Sequence, residues 1–257
     1  MQAASERSIS IMNKLIIIIL LFISLSCQRN QPSTSITDPT IQILKQIASY
    51  PINVPEPSGL FYNSKTNSLF TVSDGNGTVY EINFNGSVLR SLMIPSSDLE
   101  GITYSANNDT MYVVEETNRL VSKYLADGRK LSSFSVNVAT AHNNALEGIT
   151  VDNSNHLFII NEKSPRMILE YAGQKEISRK EIDYVSDLSD IFYERNTNSF
   201  WIVSDESQKV IWLSRDFNLI GQWSIPFTKG EGITIHNNII YIVNDATNTL
   251  YEFERPN

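Results

Sequence analysis

Three copies of one tripeptide set a carboxylate beside a glycine: Glu100-Gly101-Ile102, Glu147-Gly148-Ile149 and Glu231-Gly232-Ile233. Ser58-Gly59-Leu60 and Ser189-Asp190-Ile191 fall in the same register, so that successive copies start 42, 47, 42 and 42 residues apart. A second acid follows each copy: Asp74 in TVSDGN, Glu116 in VVEETN, Glu162 in IINEKS, Asp205 in IVSDES and Asp245 in IVNDAT. Two carboxylates about 4 Å apart repel by roughly 1–4 kcal/mol, depending on the local dielectric. A group of them raises one another's pKa unless a positive charge sits among them. Hard oxygen donors of this kind suit Ca²⁺, which takes six to eight oxygens in flexible geometry. Zn²⁺ prefers His and Cys, of which the chain has three and one.

Glu100, Glu147, Glu231 and Asp190 are therefore candidate ligands of a divalent cation, with Ca²⁺ expected. Glu116, Glu162, Asp205 and His142 are candidates for contacting a further ligand. The glycine after each glutamate admits close backbone approach, which lets carbonyl oxygens complete a shell. A structural use competes: polar residues at strand ends also fasten neighbouring repeats by hydrogen-bonding their backbones. That use is the expectation for the second acids, whereas for the Glu-Gly-Ile copies both uses stay open.

Acids some 40 residues apart meet only if a repeated unit curls round an axis. Each repeat reads as strand throughout, with β-branched and aromatic runs such as SLFTV, TVYEINF and VLRSLMI separated by turns. NSKTN, SANND, DNSN and ERNTN supply first turns, while Asn85-Gly86 and Asp127-Gly128 supply later ones, because Asn and Gly tolerate positive φ. Four strands in about 42 residues, repeated, predict an all-β fold, a five-bladed β-propeller with four-stranded blades. The fifth copy stops after three strands at LYEFERPN, so a strand from Ile41–Ala48 is expected to complete it and hide both sheet edges. First strands line the channel, which sends Glu100, Glu147 and Glu231, with Asp190 one step further along, to one channel mouth.

The chain of 257 residues is 41% hydrophobic and 19% charged, enough for a large core. Its net charge of −8 argues against nucleic acid as a partner. The N-terminus, MNKLIIIILLFISLSC, has Lys14 before an apolar run from Leu15 to Ser26. As a helix those 12 residues would span roughly 18 Å, short of the roughly 30 Å membrane core, so the run reads as a signal peptide. Translation from Met12 fits that signal better than from Met1. Cys27 is the chain's only cysteine, and SLSC resembles a bacterial lipobox, with Ser24 where leucine is usual. The expected organisation is a signal with lipobox over 1–27, a polar tether over 28–40 and the propeller over 41–257. Lipidation at Cys27 would anchor the protein to a membrane of the bacterial cell envelope.

SGLFY, LEGITY, VVEET, LEGITVD, VSDES and EGITI together resemble the SdiA-regulated (YjiK/CarP-like) β-propeller proteins, over roughly residues 42–254. The resemblance implies an envelope-associated propeller with a link to calcium response, and no settled enzymatic activity. Asp190 stands where relatives tend to have glycine. GEGI at 230–233 is also similar to gluconolactonase and regucalcin propellers, whose channel ion is held by acidic or amide residues preceding glycine; those are six-bladed and add Asn ligands missing here.

There is no G-x-S-x-G elbow and no thiol placed for catalysis, so a binding or sensing role is expected and no residue is assigned as catalytic. A metal-dependent phosphoester or lactone hydrolase and a metal-free protein scaffold are the alternatives. Lys163 and Arg166 would serve the former by neutralising an anionic substrate. His142, on the long insertion before Glu147, would bring an imidazole to the mouth. His156 and His236 read as solvent-facing turn residues on the opposite face. An unidentified protein or small molecule is the expected further partner, and a closed ring is expected to be monomeric.

Overall fold

The computed structural model describes residues 41–96, 98–138 and 144–257. The signal, tether, Cys27 and His142 lie outside the described residues. Among the described residues every regular element is a strand, arranged as five four-stranded antiparallel sheets. Blade one holds β2 (Pro57–Asn63), β3 (Ser68–Ser73), β4 (Thr78–Ile82) and β5 (Val88–Met93). Blade two holds β6 (Leu99–Ser105), β7 (Thr110–Glu115), β8 (Leu120–Leu125) and β9 (Lys130–Ser135). Blade three holds β10 (Leu146–Val151), β11 (His156–Asn161), β12 (Met167–Ala172) and β13 (Lys175–Glu181). Blade four holds β14 (Asp190–Glu194), β15 (Ser199–Ser204), β16 (Lys209–Ser214) and β17 (Leu219–Ser224). Blade five holds β18 (Gly230–His236), β19 (Ile239–Asn244), β20 (Thr249–Glu254) and, from the start of the chain, β1 (Gln46–Pro51). The first strands β2, β6, β10, β14 and β18 contact one another in a closed cycle, so the sheets form a five-bladed β-propeller.

Local sequence makes the blades. The first hairpin turns carry Asn67, Asp109, Asn155 and Asn198 at φ of 51°, 52°, 65° and 51°. These are left-handed positions that short polar side chains tolerate. Gly86 and Gly128, at φ of 83° and 88°, close the outer hairpins of the first two blades. Between blades, buried faces interlock: Phe158 of blade three meets Phe200 of blade four with ring centroids 4.7 Å apart, in a cluster with Ile168, Ile191 and Ile211.

The closing strand differs from expectation. It pairs with β20 through Gln46–Pro51, from Gln46↔Phe253 to Pro51↔Thr249, rather than through Ile41–Ala48. Buried anchors on either side set the shift. Leu44 donates its N–H to Ser224 O and joins the core of blades four and five, while Ile52 and Val54 sink into the core between blades five and one. Only the segment between them is left to run beside β20.

At the axis the inner strands approach backbone to backbone. A Cβ on Gly59 would lie 2.6 Å from Glu100 O, and one on Gly101 would be closer still to Glu147 O. A Cβ on Gly232 would lie 2.6 Å from the carbonyl carbon of Gly59. Gly230 differs, because its added Cβ would meet only side-chain methyls, Val203 Cγ2 at 3.2 Å and Ile225 Cδ1 at 3.3 Å. Gly101→Ala should therefore cost about 3 kcal/mol and Gly230→Ala about 1 kcal/mol or less. For a domain of this size the former lowers Tm by about 6–12 °C. Thermal unfolding of the two variants checks this, and equal losses would contradict the axial contact.

Candidate metal centre at the channel mouth

Each Glu-Gly-Ile copy sits on a break in its strand pairing. The ladder shifts register between Leu99 and Ile102, between Leu146 and Ile149, and between Gly230 and Gly232. Such bulges re-aim a side chain at the rim of a sheet, and here the glutamates Glu100, Glu147 and Glu231 turn into the mouth. In blade one a matching shift lies between Ser58 and Leu60, with Gly59 at φ +57°. Blade four has no bulge: Asp190↔Val203 and Ile191↔Ile202 continue a regular ladder.

The mouth is a solvent-open basin of about 260 Å³, lined among the described residues by ten carboxyl groups and two ammonium groups, Lys163 and Lys229. Burial pushes six of these carboxyls up, Asp74, Glu100, Glu116, Glu147, Glu162 and Glu231, and neighbouring carboxylates add to it. Glu100 stands well above the usual range through burial and then Asp74; Glu147 does so through burial and then Glu100 and Glu231. Asp74 rises to about 6, by burial and the Asp98 carboxylate. Glu116 rises to about 7, by burial first, although the Ala145 N–H donates to its Oε1 at 2.9 Å. Glu231 also reaches about 7, burial outweighing Lys229, whose Nζ lies 3.3 Å from Glu231 Oε1. Glu162 is raised by burial and held back by Lys163 at 2.7 Å.

Two trios have ligand oxygens all within 4.8 Å of one another: Asp74, Asp98 and Glu100, and Glu116, Glu147 and Glu162. Oxygens bound to one calcium ion at 2.3–2.6 Å lie at most about 5 Å from one another, so each trio is close enough to reach a single ion. Oxygen-only donors fit a hard divalent cation. Glu100 and Glu147 are thus brought into different trios, and Glu231 faces both from beside Lys229.

Asp190 does not join them. It is 1% exposed, and Leu60 and Ile233 N–H donate to its Oδ2 at 3.1 and 2.9 Å. It ties blade four to blades one and five across the axis, while its Oδ1 is buried without a hydrogen-bond partner against Gly148. Burial raises it to about 8. With an inner strand lacking the bulge, its side chain points to the axis below the mouth, which explains the departure from the cation set expected for it.

Two of the second acids have the fastening role through their side chains, Glu116 Oε1 accepting from Ala145 N–H and Asp205 Oδ1 from Lys229 N–H of the next blade. The backbone N–H groups of Asp74, Glu116, Glu162 and Asp245 donate to Glu56, Asp98, Ala145 and Lys229 carbonyls in the loops entering their own blades. In blade four, Asp187 takes over, accepting from Asp205 N and Glu206 N at 3.1 Å each. Asp205 in turn accepts from Lys229 N and pairs with Lys229 Nζ. Lys163 bridges Glu162 and Glu206, whereas Arg166 caps Ile182 O at 2.9 Å and does not reach the basin. Sequence reasoning missed Asp98, Asp187 and Lys229. The first two precede their strands in register, which the repeat alignment could have found; Lys229 has no counterpart in other blades.

The histidines are not free turn residues. His156 Nδ1 lies 3.0 Å from Glu170 Oε1, and Arg215 bridges Glu170 and Asp152. His236 stacks on Tyr62 with centroids 3.8 Å apart. Both stand away from the acidic basin.

Fold and site define a five-bladed propeller with a carboxylate-lined channel mouth. The chain belongs to the SdiA-regulated family, whose model matches residues 40–254. Among solved structures it is similar to a protein of unknown function from Bacteroides caccae, with 9% identity, TM-score 0.54 and coverage of 73% of this chain and 70% of that one. A gluconolactonase from Xanthomonas campestris matches at 10% identity and TM-score 0.52, over 82% of this chain and 98% of that one. Virginiamycin B lyase from Staphylococcus aureus matches at 15% identity and TM-score 0.50, over 80% and 69%. At these identities the likeness shows the fold alone.

The raised acids fix a pH dependence for the metal-free protein. A carboxyl whose folded pKa exceeds its unfolded value of about 4 stabilises the fold below that value and loses the contribution as pH rises through the folded pKa. The loss runs through about 6 for Asp74, about 7 for Glu116 and Glu231 and about 8 for Asp190. The lowered acids Glu170 and Glu194, held down by hydrogen bonds from cationic partners, act only at more acidic pH. Melting in EDTA should give a higher Tm at pH 5 than at pH 8.5, and Asp190→Asn should flatten the upper part of the curve. A Tm that climbs between those values would refute the burial of these groups.

Proposed function

We propose that the channel mouth binds a divalent cation, Ca²⁺ in the first place, and that the protein works as a binding or sensing module. The observation that carries this reading is the crowding of buried and half-buried carboxyls into two trios, each with oxygens within 4.8 Å of one another, and facing two ammonium groups among the described residues. Asp74, Asp98 and Glu100 would hold one ion, and Glu116, Glu147 and Glu162 the other position. Glu231 and Lys229 would balance the remaining charge. A bound cation favours the ionised forms of Glu100, Glu116 and Glu147, which burial and their neighbours hold above the ordinary range, so binding releases protons and tightens as pH rises.

Both lysines are engaged with carboxylates, Lys163 with Glu162 and Glu206 and Lys229 with Asp205 and Glu231. This favours binding over turnover of an anionic ester. The gluconolactonase and the lyase share the ring, and an activity does not follow from that.

The reading extends to location. Export on the N-terminal signal and lipidation at Cys27 would hold the propeller at a membrane of the cell envelope, with a protein or small molecule as its further partner. Cys27→Ser should move the protein from the membrane to the soluble fraction on cell fractionation; retention at the membrane would defeat the anchor.

The cation is tested by melting in EDTA and then in graded Ca²⁺, Mg²⁺ and Mn²⁺. At 100 times its Kd a ligand of the folded state adds about 2.7 kcal/mol, equivalent to about 5–11 °C in a domain of this size. Ca²⁺ should produce a saturable rise that Glu147→Gln largely abolishes. A Tm indifferent to millimolar cations would leave the carboxyls as fastenings between blades.

A further inference from the structure

The other end of the channel opens into a funnel of about 680 Å³, and its walls are of a different chemistry. In three blades the residue after the inner Ile is a buried threonine: Thr103, Thr150 and Thr234. Two of them fasten the ring, Thr150 Oγ1 accepting from Tyr193 N at 3.0 Å and Thr234 Oγ1 from Tyr62 N at 3.2 Å. Blades one and four have Phe61 and Phe192 instead, half-buried and lining the funnel. Phenylalanine cannot make the fastening bond; Phe61 and Phe192 pack one side against the cores between blades one and two and between blades four and five, and line the funnel with the other. They form an apolar floor open to solvent.

One wall is the Tyr62–His236 stack, backed by Phe84 at 5.5 Å from the imidazole. Burial lowers the His236 pKa, disfavouring the charged ring. Of the charged groups in the lining, Glu194 is spent on Arg255 at 2.8 Å and on Trp201 Nε1 at 3.0 Å. Arg195 is exposed at the rim, and its recorded contact is an amide, Asn153 Oδ1 at 3.0 Å. Among the described residues no carboxylate pairs with it. Exposed amides of Asn196, Asn237 and Asn238 stand at the same rim.

We propose that this funnel is a second binding site, for a small molecule carrying a planar ring and one anionic group. The ring would lie on Phe61 and Phe192 against the Tyr62–His236 wall, and the anion would take the free donors of Arg195. Aromatic contacts favour offset or edge geometries with other rings, and a guanidinium pairs carboxylate or sulfonate oxygens in fork geometry. The acidic mouth at the opposite end repels such a ligand, so the two ends sort ligands by charge.

The test is titration calorimetry with two dyes of one ring system, the anionic 8-anilino-1-naphthalenesulfonate and the neutral N-phenyl-1-naphthylamine. The protein should bind the sulfonate saturably at one site and the neutral dye about tenfold more weakly, the worth of one charge-assisted hydrogen bond. Phe61→Thr with Phe192→Thr, the residue other blades use there, should weaken both dyes. Arg195→Gln, at an exposed position that leaves the packing intact, should weaken the sulfonate alone. Glu147→Gln and EDTA should change neither, which separates this site from the cation centre. Sulfonate binding that survives the phenylalanine pair or Arg195→Gln, or no saturable binding by the unaltered protein, would overturn the proposal.

Discussion

Five inner strands meet round an axis with no room for side chains at one level, and the rest of the molecule follows from that contact. Gly59, Gly101, Gly148 and Gly232 hold this level, each so close to the next strand's backbone that a Cβ would clash. Blade four alone puts a side chain there, and Asp190 fits because its carboxylate accepts N–H groups from the strands of blades one and five. A close-packed axis is also what crowds the glutamates, since each precedes its glycine by one residue. The bulge that lets the glycine approach the axis turns the glutamate outward into the mouth.

Electrostatic consequences differ at the two ends. At the mouth, desolvation and mutual repulsion work together, and Glu100, Glu147 and Glu231 sit above their ordinary pKa range. Such an arrangement costs stability unless protons or a cation neutralise it, and it persists because the backbone contacts beneath over-determine it. At the opposite end Glu194 pairs with Arg255, Arg195 stands at the rim with an amide for its contact, and aromatic rings replace acids along the axis. One channel therefore carries a cation-attracting end and an end that favours apolar rings with a compensating anion.

Closure depends on the chain's two ends finding each other. β20 would be an exposed edge without β1, and exposed edges template unwanted pairing. Leu44 and Ile52 act as pins on both sides of β1, holding it beside β20 through core burial as well as through the ladder. The Trp201, Trp212 and Arg255 stack adds to the same seam, with the guanidinium 5.2 Å from both ring centroids.

The number of blades, the four strands in each and the converging glutamates were legible in the chain, because they rest on local rules. Asn67, Asp109, Asn155 and Asn198 recur where a hairpin needs positive φ, and β-branched runs between them have no other stable use. Repeat spacing then fixes which residues share a level of the ring. Tertiary structure alone decided the register of β1, which was set by Leu44 and Ile52 finding different cores. It alone decided that Asp190 points to the axis while Glu147 points to the mouth, one residue of offset turned by the presence or absence of a bulge. The Lys229 pairs, the His236 stack and the Arg195–Asn153 contact also belong to it, since each depends on what an adjacent blade brings across a gap. Local preference is written along the chain, but a contact across blades depends on the curvature of the closed ring, which no single stretch of sequence contains.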